Sequence, residues 1–400
     1  MQPEIAIPPE FRSQLTPTKP KDDRNDYEIL QGLRQFQPVT SEKNLWAFWH
    51  SGVGGMPAWC QRNVVDWVRI QGPSWTVRIL DSDASSPNFL LKYVSEDMMP
   101  KAINEGGMTG PFTGQHTADF VRTAAIYQYG GVFMDVGILL IRPLERICWD
   151  KLADDSSPYN VGIPSMKEEN ISNHFVACRK GDPFIRRWHE LMLHIWEGRT
   201  EGKGAIMGNP LIQFVIEQDN PDIRAPLGWD LKDPVVILEY VGQILAFMRM
   251  VFLDKADDEG FNCTEYWSKH ILIWDTLTEH WAAEHMMART GPHPRIMELL
   301  AVRRDADPES QDYQDAYKLT WRLLTKSSMM KVTSGHGMSI TPHLGVLWSM
   351  PENEGKDCAP GTFAELLRYG SVYFDQTRNG VDYLETGRPA KTLNKTLKEP

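Results

Sequence analysis

Residues 113–144 read TGQHTADFVRTAAIYQYGGVFMDVGILLIRPL. The pattern is a helix, a Gly-Gly break, a short strand, a turn and a second strand. Asp119 and Arg122 are three residues apart, so on a helix they share one face. Gly130 and Gly131 end that helix, because glycine adopts the left-handed cap without steric penalty. Val132, Phe133 and Met134 form a short apolar run of strand type. Asp135 stands at its end, before Val136 and Gly137, and Ile138–Ile141 is a second buried run. A carboxylate at the mouth of a buried strand is where α/β proteins place their chemistry.

Upstream, residues 44–60 read NLWAFWHSGVGGMPAWC. Leu45–Trp49 is predicted as a strand, and Ser51–Met56 as a glycine-rich loop whose amides could approach a phosphate. Pro57 suits a first helical turn, and Trp59, Val64, Trp67 and Val68 give that helix an apolar face as far as Gln71. Gly72 and Pro73 break it, and Trp75–Leu80 is a second strand. Strand, helix, strand is the plan of a nucleotide-binding α/β half.

Downstream, 145–158 reads as a charged connection. Tyr159–Pro164 and His174–Cys178 are predicted strands, and Phe184–Trp196 and Pro210–Gln218 predicted helices. Val235–Leu253 is nearly apolar over 19 residues but contains Glu239, Gln243 and Arg249. A charge at mid-bilayer costs about 2.5–3.5 kcal/mol, so a buried or partner-facing helix is expected there, not a membrane span. Ile271–Arg289, Gln311–Leu324 and Phe363–Tyr373 are further predicted helices, with loop and strand over Lys331–Trp348 and a frayed C-terminus. Residues 1–40 are proline-rich and polar and read as an extended arm. The expected organisation is this arm, an α/β core over 41–218, a helical insertion over 219–330 and a completing segment over 331–400.

The chain has 400 residues, 42% of them hydrophobic, which indicates a globular protein. Its net charge of −11, without a long basic run, argues against nucleic acid or an anionic membrane as the main partner. The five cysteines are scattered and odd in number, and the N-terminus lacks a signal-peptide pattern. A reduced, cytoplasmic protein with buried free thiols is expected. The sequons at Asn170, Asn262 and Asn394 then have no use.

Asp-x-x-Arg on a helix, Tyr-Gly-Gly, and a strand ending in an aspartate motif resemble a group of sugar-nucleotide glycosyltransferases. Named relatives are the capsular polysaccharide synthesis proteins and the "DXD sugar-binding region" transferases, and the glucosylating toxins share the same core. Asp119, Arg122, Gly130, Gly131 and Asp135 stand at the matching positions. Gly137 stands where the pattern often has a second aspartate, or threonine in the capsular branch. The match is good over about residues 44–215.

The resemblance implies a GT-A-like α/β fold, a mixed sheet flanked by helices, with added helical segments in the middle and C-terminal parts. It implies transfer of a hexose from a nucleoside-diphosphate sugar to an acceptor hydroxyl, with retention at the anomeric carbon. Asp135 and Arg122 would be catalytic. Asp119, Trp46, Phe48, Trp49, Gly130, Gly131, Lys331 and Ser334 would bind the donor. Asp135 and His336 would hold Mn²⁺ or Mg²⁺, weakly, because Gly137 supplies no carboxylate.

Each residue also has an ordinary structural role open to it. Asp135 could cap a turn, Asp119 and Arg122 could be a surface ion pair, and the aromatics of the first strand could be core. His280 and His285 are five apart, about 140° round a helix, and cannot chelate one ion as an i, i+4 pair does. The Met- and aromatic-rich stretch after Asp219 (Phe247, Met248, Met250, Phe252, Trp267, Trp274, Met286, Met287) suggests a small apolar acceptor. Two other readings stay open: a decayed nucleotide-sugar-binding protein of the same fold, and an enzyme with a changed reaction such as donor hydrolysis.

Overall fold

The computed structural model describes residues 4–167, 170–218, 227–332 and 337–400. Strand β1 (Asn44–Phe48) opens the central sheet, and helix α1 (Ala58–Gln71) carries the chain to β2 (Thr76–Leu80), which lies parallel to β1 with Trp46 opposite Arg78. Helix α2 (Thr113–Tyr129) then leads into β3 (Gly131–Met134), parallel to β1 on its other side. The turn between them depends on glycine. Gly131 has φ 105°, and a Cβ there would meet the Asn44 carbonyl oxygen at 2.3 Å. Without a side chain, the turn presses against the start of β1. Asp135 therefore emerges at the far, carboxyl end of β3, beside the ends of β1 and β2.

After Asp135, β4 (Ile138–Leu140) leaves the central sheet. The sheet continues with β5 (Val161–Met166), β6 (Phe175–Cys178) and β7 (Ile271–Asp275). A late strand, β8 (Met329–Lys331), pairs antiparallel with β4, and β9 (Tyr383–Leu384) pairs with β7. The spatial order is β9-β7-β5-β6-β3-β1-β2, with Asn170–Ile171 paired to β5. Strand β6 is antiparallel to both β3 and β5, so the sheet is mixed. Alternation separates the two faces. Leu45, Ala47, Val132 and Met134 pack with α1, while Trp46, Phe48 and Phe133 pack with α2 and with α3 (Pro183–Ile195). This is the expected α/β architecture of a mixed sheet flanked by helices.

Several elements differ from their sequence expectation. The predicted helix over Ile271–Arg289 begins as β7, whose apolar ILIWD run lies parallel to β5 and is buried on both faces; short helices follow at Thr276–Glu279 and Ala282–Met287. The 219–330 stretch is thus not a purely helical insertion. The apolar run splits into α4 (Pro234–Tyr240) and α5 (Gly242–Val251). The charged connection is helical over Glu145–Ala153. The N-terminal arm contains a helix, Asp26–Leu33, closed by a capping box on Asn25. The C-terminus is tied down, because the buried Arg249 guanidinium donates to the carbonyls of Thr396 and Glu399.

Candidate active site

The carboxyl ends of β1 and β3, the N-terminal half of α2, and β8 enclose a cavity of about 720 Å³. Phe48, Trp49 and His50 line it from the end of β1, and Tyr240, Val241 and Ile244 from the junction of α4 and α5. The polar lining includes Asp119, Arg122, Asp135, Asn173 and Lys331.

These charges form one connected chain. Arg122 Nη2 donates to Asp135 Oδ1 at 3.1 Å, while its Nη1 donates to both Asp119 Oδ1 and Gln243 Oε1. Lys331 Nζ donates to Asp135 Oδ2 at 2.7 Å. Asn173 Nδ2 bonds Gln243 Oε1 at 2.9 Å and Asp119 Oδ1 at 3.3 Å. The Arg122 guanidinium also lies 4.8 Å from the centre of the Phe133 ring. Arg122 and Lys331 are buried, with side chains 4% and 7% exposed, whereas Asp135 keeps 30% open to the cavity.

Charge pairing decides the protonation states. Burial works to raise the Asp135 pKa, but Lys331 and Arg122 outweigh it and hold the carboxyl below the usual range. Burial works to lower the Arg122 pKa, and Asp119 and Asp135 reverse that, so the guanidinium stays charged.

The backbone fixes both ends of the Lys331–Asp135 pair. The register of β4 with β8 sets Lys331 opposite Ile138. The Asp135 amide donates to the His174 carbonyl at 2.9 Å and the Lys331 amide to the His280 carbonyl at 3.0 Å. The two imidazoles are themselves hydrogen-bonded at 2.7 Å, and the Trp274 indole donates to His280 at 2.9 Å. His280 is thus a packing residue, its pKa pushed down to about 3 by burial and by Lys331, while His285 is exposed.

With this geometry in view, comparison with known proteins places the chain. The family described as capsular polysaccharide synthesis protein matches residues 21–222. The chain belongs to that family. Its similarity to the probable glycosyltransferase FCK3 of Fusarium pseudograminearum is 49% identity over 99% of both chains. With the O-glycosyltransferase braB of Annulohypoxylon truncatum it is 36% over 94% of this chain and 90% of the other. Among solved structures, the PaToxG glycosyltransferase aligns with 50% of this chain and 72% of its own, at 15% identity and a TM-score of 0.29. This member of the capsular polysaccharide synthesis family is a glycosyltransferase, and no helix among its described residues is long and apolar enough to cross a membrane.

In this glycosyltransferase the structure brings Asp119, Arg122, Asp135, Lys331, Phe48 and Trp49 to one cavity. Trp46 is elsewhere: it is fully buried, donates to the Gly130 carbonyl at 3.0 Å and stacks on Tyr129. Gly130 and Gly131 lie at the opposite end of β3 from Asp135. The Ser51–Gly55 loop is not among the cavity-lining residues. Ser334 and His336 lie outside the described residues. Phe247, Met248, Met250, Trp267 and Trp274 are core and do not line the cavity.

Sequence reasoning missed the bridging roles of Gln243 and Asn173. Gln243 carried a signal, a polar residue within an apolar run; Asn173 carried none.

Asp135, the expected metal ligand among the described residues, is already paired with two cations, which disfavours a divalent ion beside it. Mg²⁺ or Mn²⁺ takes about six oxygen ligands, of which waters and a bound diphosphate can supply most, so the protein's share rests on very few carboxylates. Asp135 has both oxygens engaged by cations, Gly137 has no side chain, and no group of three His, Cys, Asp or Glu suited to a metal occurs among the described residues.

Proposed function

We propose that this glycosyltransferase moves a hexose from a nucleoside-diphosphate sugar to the hydroxyl of a small apolar acceptor, with retention at the anomeric carbon. The observation that supports this best is Arg122, buried and held between Asp119 and Asp135 on the cavity floor. A guanidinium suits diphosphate and sugar oxygens through its rigid fork of donors. Asp135, partly open to the cavity, is an acceptor for donor hydroxyls. Trp49, half-buried beside Phe48 at the end of β1, offers a face on which a nucleobase can stack.

Such a site works by position and charge. The donor's diphosphate lies against the cationic floor, and the acceptor enters along Tyr240, Val241 and Ile244. Helix α4, which ends at Tyr240, also presents Val235 and Val236 to solvent, 48% and 39% exposed, and Ile340 is 68% exposed. The apolar residues Val241 and Ile244 in the cavity lining favour an apolar acceptor over a hydrophilic glycan. The relative named an O-glycosyltransferase agrees with transfer to a hydroxyl. A cytoplasmic setting agrees with five free cysteines.

The test is turnover with a panel of UDP- and GDP-sugars, read as released nucleotide and as glycosylated product, with and without hydroxylated apolar compounds. Product from one such pair supports the reading, and nucleotide release without product favours donor hydrolysis. Nucleotide binding with no turnover favours a decayed binding protein, the reading to which Gly137 points.

A further inference from the structure

We propose that Lys331 takes the place of a divalent cation, so that transfer runs on a built-in ammonium rather than on a bound metal. This rests on the nucleotide-sugar reading above.

Two observations meet at one point. The turn after β3 carries a single carboxylate, Asp135, and Gly137 has no side chain to add a ligand. The space that a cation bound to Asp135 would take is filled from the other direction. Strand β8 delivers Lys331 to Asp135 Oδ2 at 2.7 Å, and Arg122 holds Oδ1 at 3.1 Å. A metal ion bound to Asp135 would stand beside two fixed positive groups and compete with both.

Lys331 is placed as a designed part of the site. Its side chain is 7% exposed, its backbone is locked to Ile138 and to the His280 carbonyl, and it lines the cavity. An ammonium has three donors, of which Asp135 accepts one, and the others suit diphosphate oxygens. In the transfer step the bond from the anomeric carbon to the diphosphate oxygen breaks, and its electron pair leaves with that oxygen. Lys331 and Arg122 stabilise the developing charge. The acceptor oxygen forms the new bond to the anomeric carbon, and its proton passes to a departing phosphate oxygen.

The experiment measures UDP and GDP binding by calorimetry, in EDTA and in Mn²⁺, together with turnover under both conditions and a Mn²⁺ titration followed by electron paramagnetic resonance. Nucleotide affinity and turnover are expected to agree within about threefold between the two conditions, with no tightly bound Mn²⁺. Lys331→Met should weaken nucleotide binding about tenfold and turnover about 100-fold, and Lys331→Arg should keep most of the binding. The double variant Lys331→Met with Gly137→Asp should bind nucleotide better in Mn²⁺ than in EDTA. Wild-type binding or turnover lost in EDTA and restored by micromolar Mn²⁺ overturns the proposal. If no sugar nucleotide turns over in either condition, the transfer reading fails, and binding of UDP or GDP still decides the role of Lys331. Binding in EDTA that Lys331→Met leaves unchanged overturns it.

Discussion

Lys331 Nζ lies 2.7 Å from Asp135 Oδ2, although 196 positions of chain separate them. The contact exists because β4 turns out of the central sheet after Asp135 and finds its partner in β8, late in the chain. The family match covers residues 21–222, yet the site is closed by Lys331 from beyond it.

Arg122→Lys is expected to cut kcat/KM about 100-fold or more. One guanidinium reaches Asp119, Gln243 and Asp135 together, and an ammonium on a flexible stem cannot. A buried partner left without its hydrogen bond costs about 1–3 kcal/mol, so the melting temperature should fall as well. A rate within threefold of wild type, with a folded protein, would return Arg122 to a structural role.

Gln243→Leu tests whether α5 supports the site. The substitution leaves Arg122, Asn173 and Asp119 each without a partner they now have. An unsatisfied buried group costs about 1–3 kcal/mol. Stability and turnover should both drop, with Asn173→Ala in the same background adding less than its separate effect. Fully additive losses would show that the two residues act independently.

Gly131→Ala should destabilise the fold severely while sparing the chemistry of whatever remains folded. The added Cβ would stand 2.3 Å from the Asn44 carbonyl at a φ of 105°. The strain lies at the far end of β3, so the KM of the folded fraction should be unchanged. A stable variant with a raised KM would place Gly131 in the donor site instead.

Stability should depend on pH through buried groups away from the cavity floor. Burial pushes Glu284 from 4.5 up to about 8, and its Oε2 has no hydrogen-bond partner. A carboxyl raised in the folded state favours folding below its unfolded pKa and loses that contribution as pH climbs from 4.5 to 8, at up to about 1.4 kcal/mol per pH unit. Glu284→Gln should therefore raise the melting temperature relative to wild type more at pH 8 than at pH 5. Burial lowers His293 to about 2, and burial with Lys331 lowers His343 to about 4, both from 6.5. These two favour folding above 6.5 and lose that contribution as pH falls, so His343→Gln should help more at pH 5 than at pH 7. Equal shifts at both pH values would contradict either assignment.

The nucleotide-binding half was readable because local patterns state it directly. The apolar run Leu45–Trp49 marks β1, the glycine pair marks the end of α2, and Asp135 follows the apolar triplet that becomes β3. Strand β7 was not readable, since ILIWD is as apolar as a buried helix segment and shows no period. Its strand state is set by the edge of β5 that it completes. The same limit applies to the site. Asp119, Arg122 and Asp135 stand close in sequence and show as a pattern. Gln243 reaches the site through tertiary packing; Lys331 does too and was expected at the donor only from the family resemblance and its residue type, while Trp46, though on the expected strand, points into the core.

The most direct test of glycosyl transfer centred on Asp135 compares wild type with Asp135→Asn by mass-spectrometric detection of glycosylated product. The donors are UDP- and GDP-sugars and the acceptors hydroxylated apolar compounds. The substitution keeps the shape but removes the carboxylate that Arg122 and Lys331 share, so the melting temperature should fall while melting stays cooperative. The expected result is a hexose mass added by wild type and a product rate at least about 100-fold lower in Asp135→Asn. Equal product from the two proteins would contradict the account.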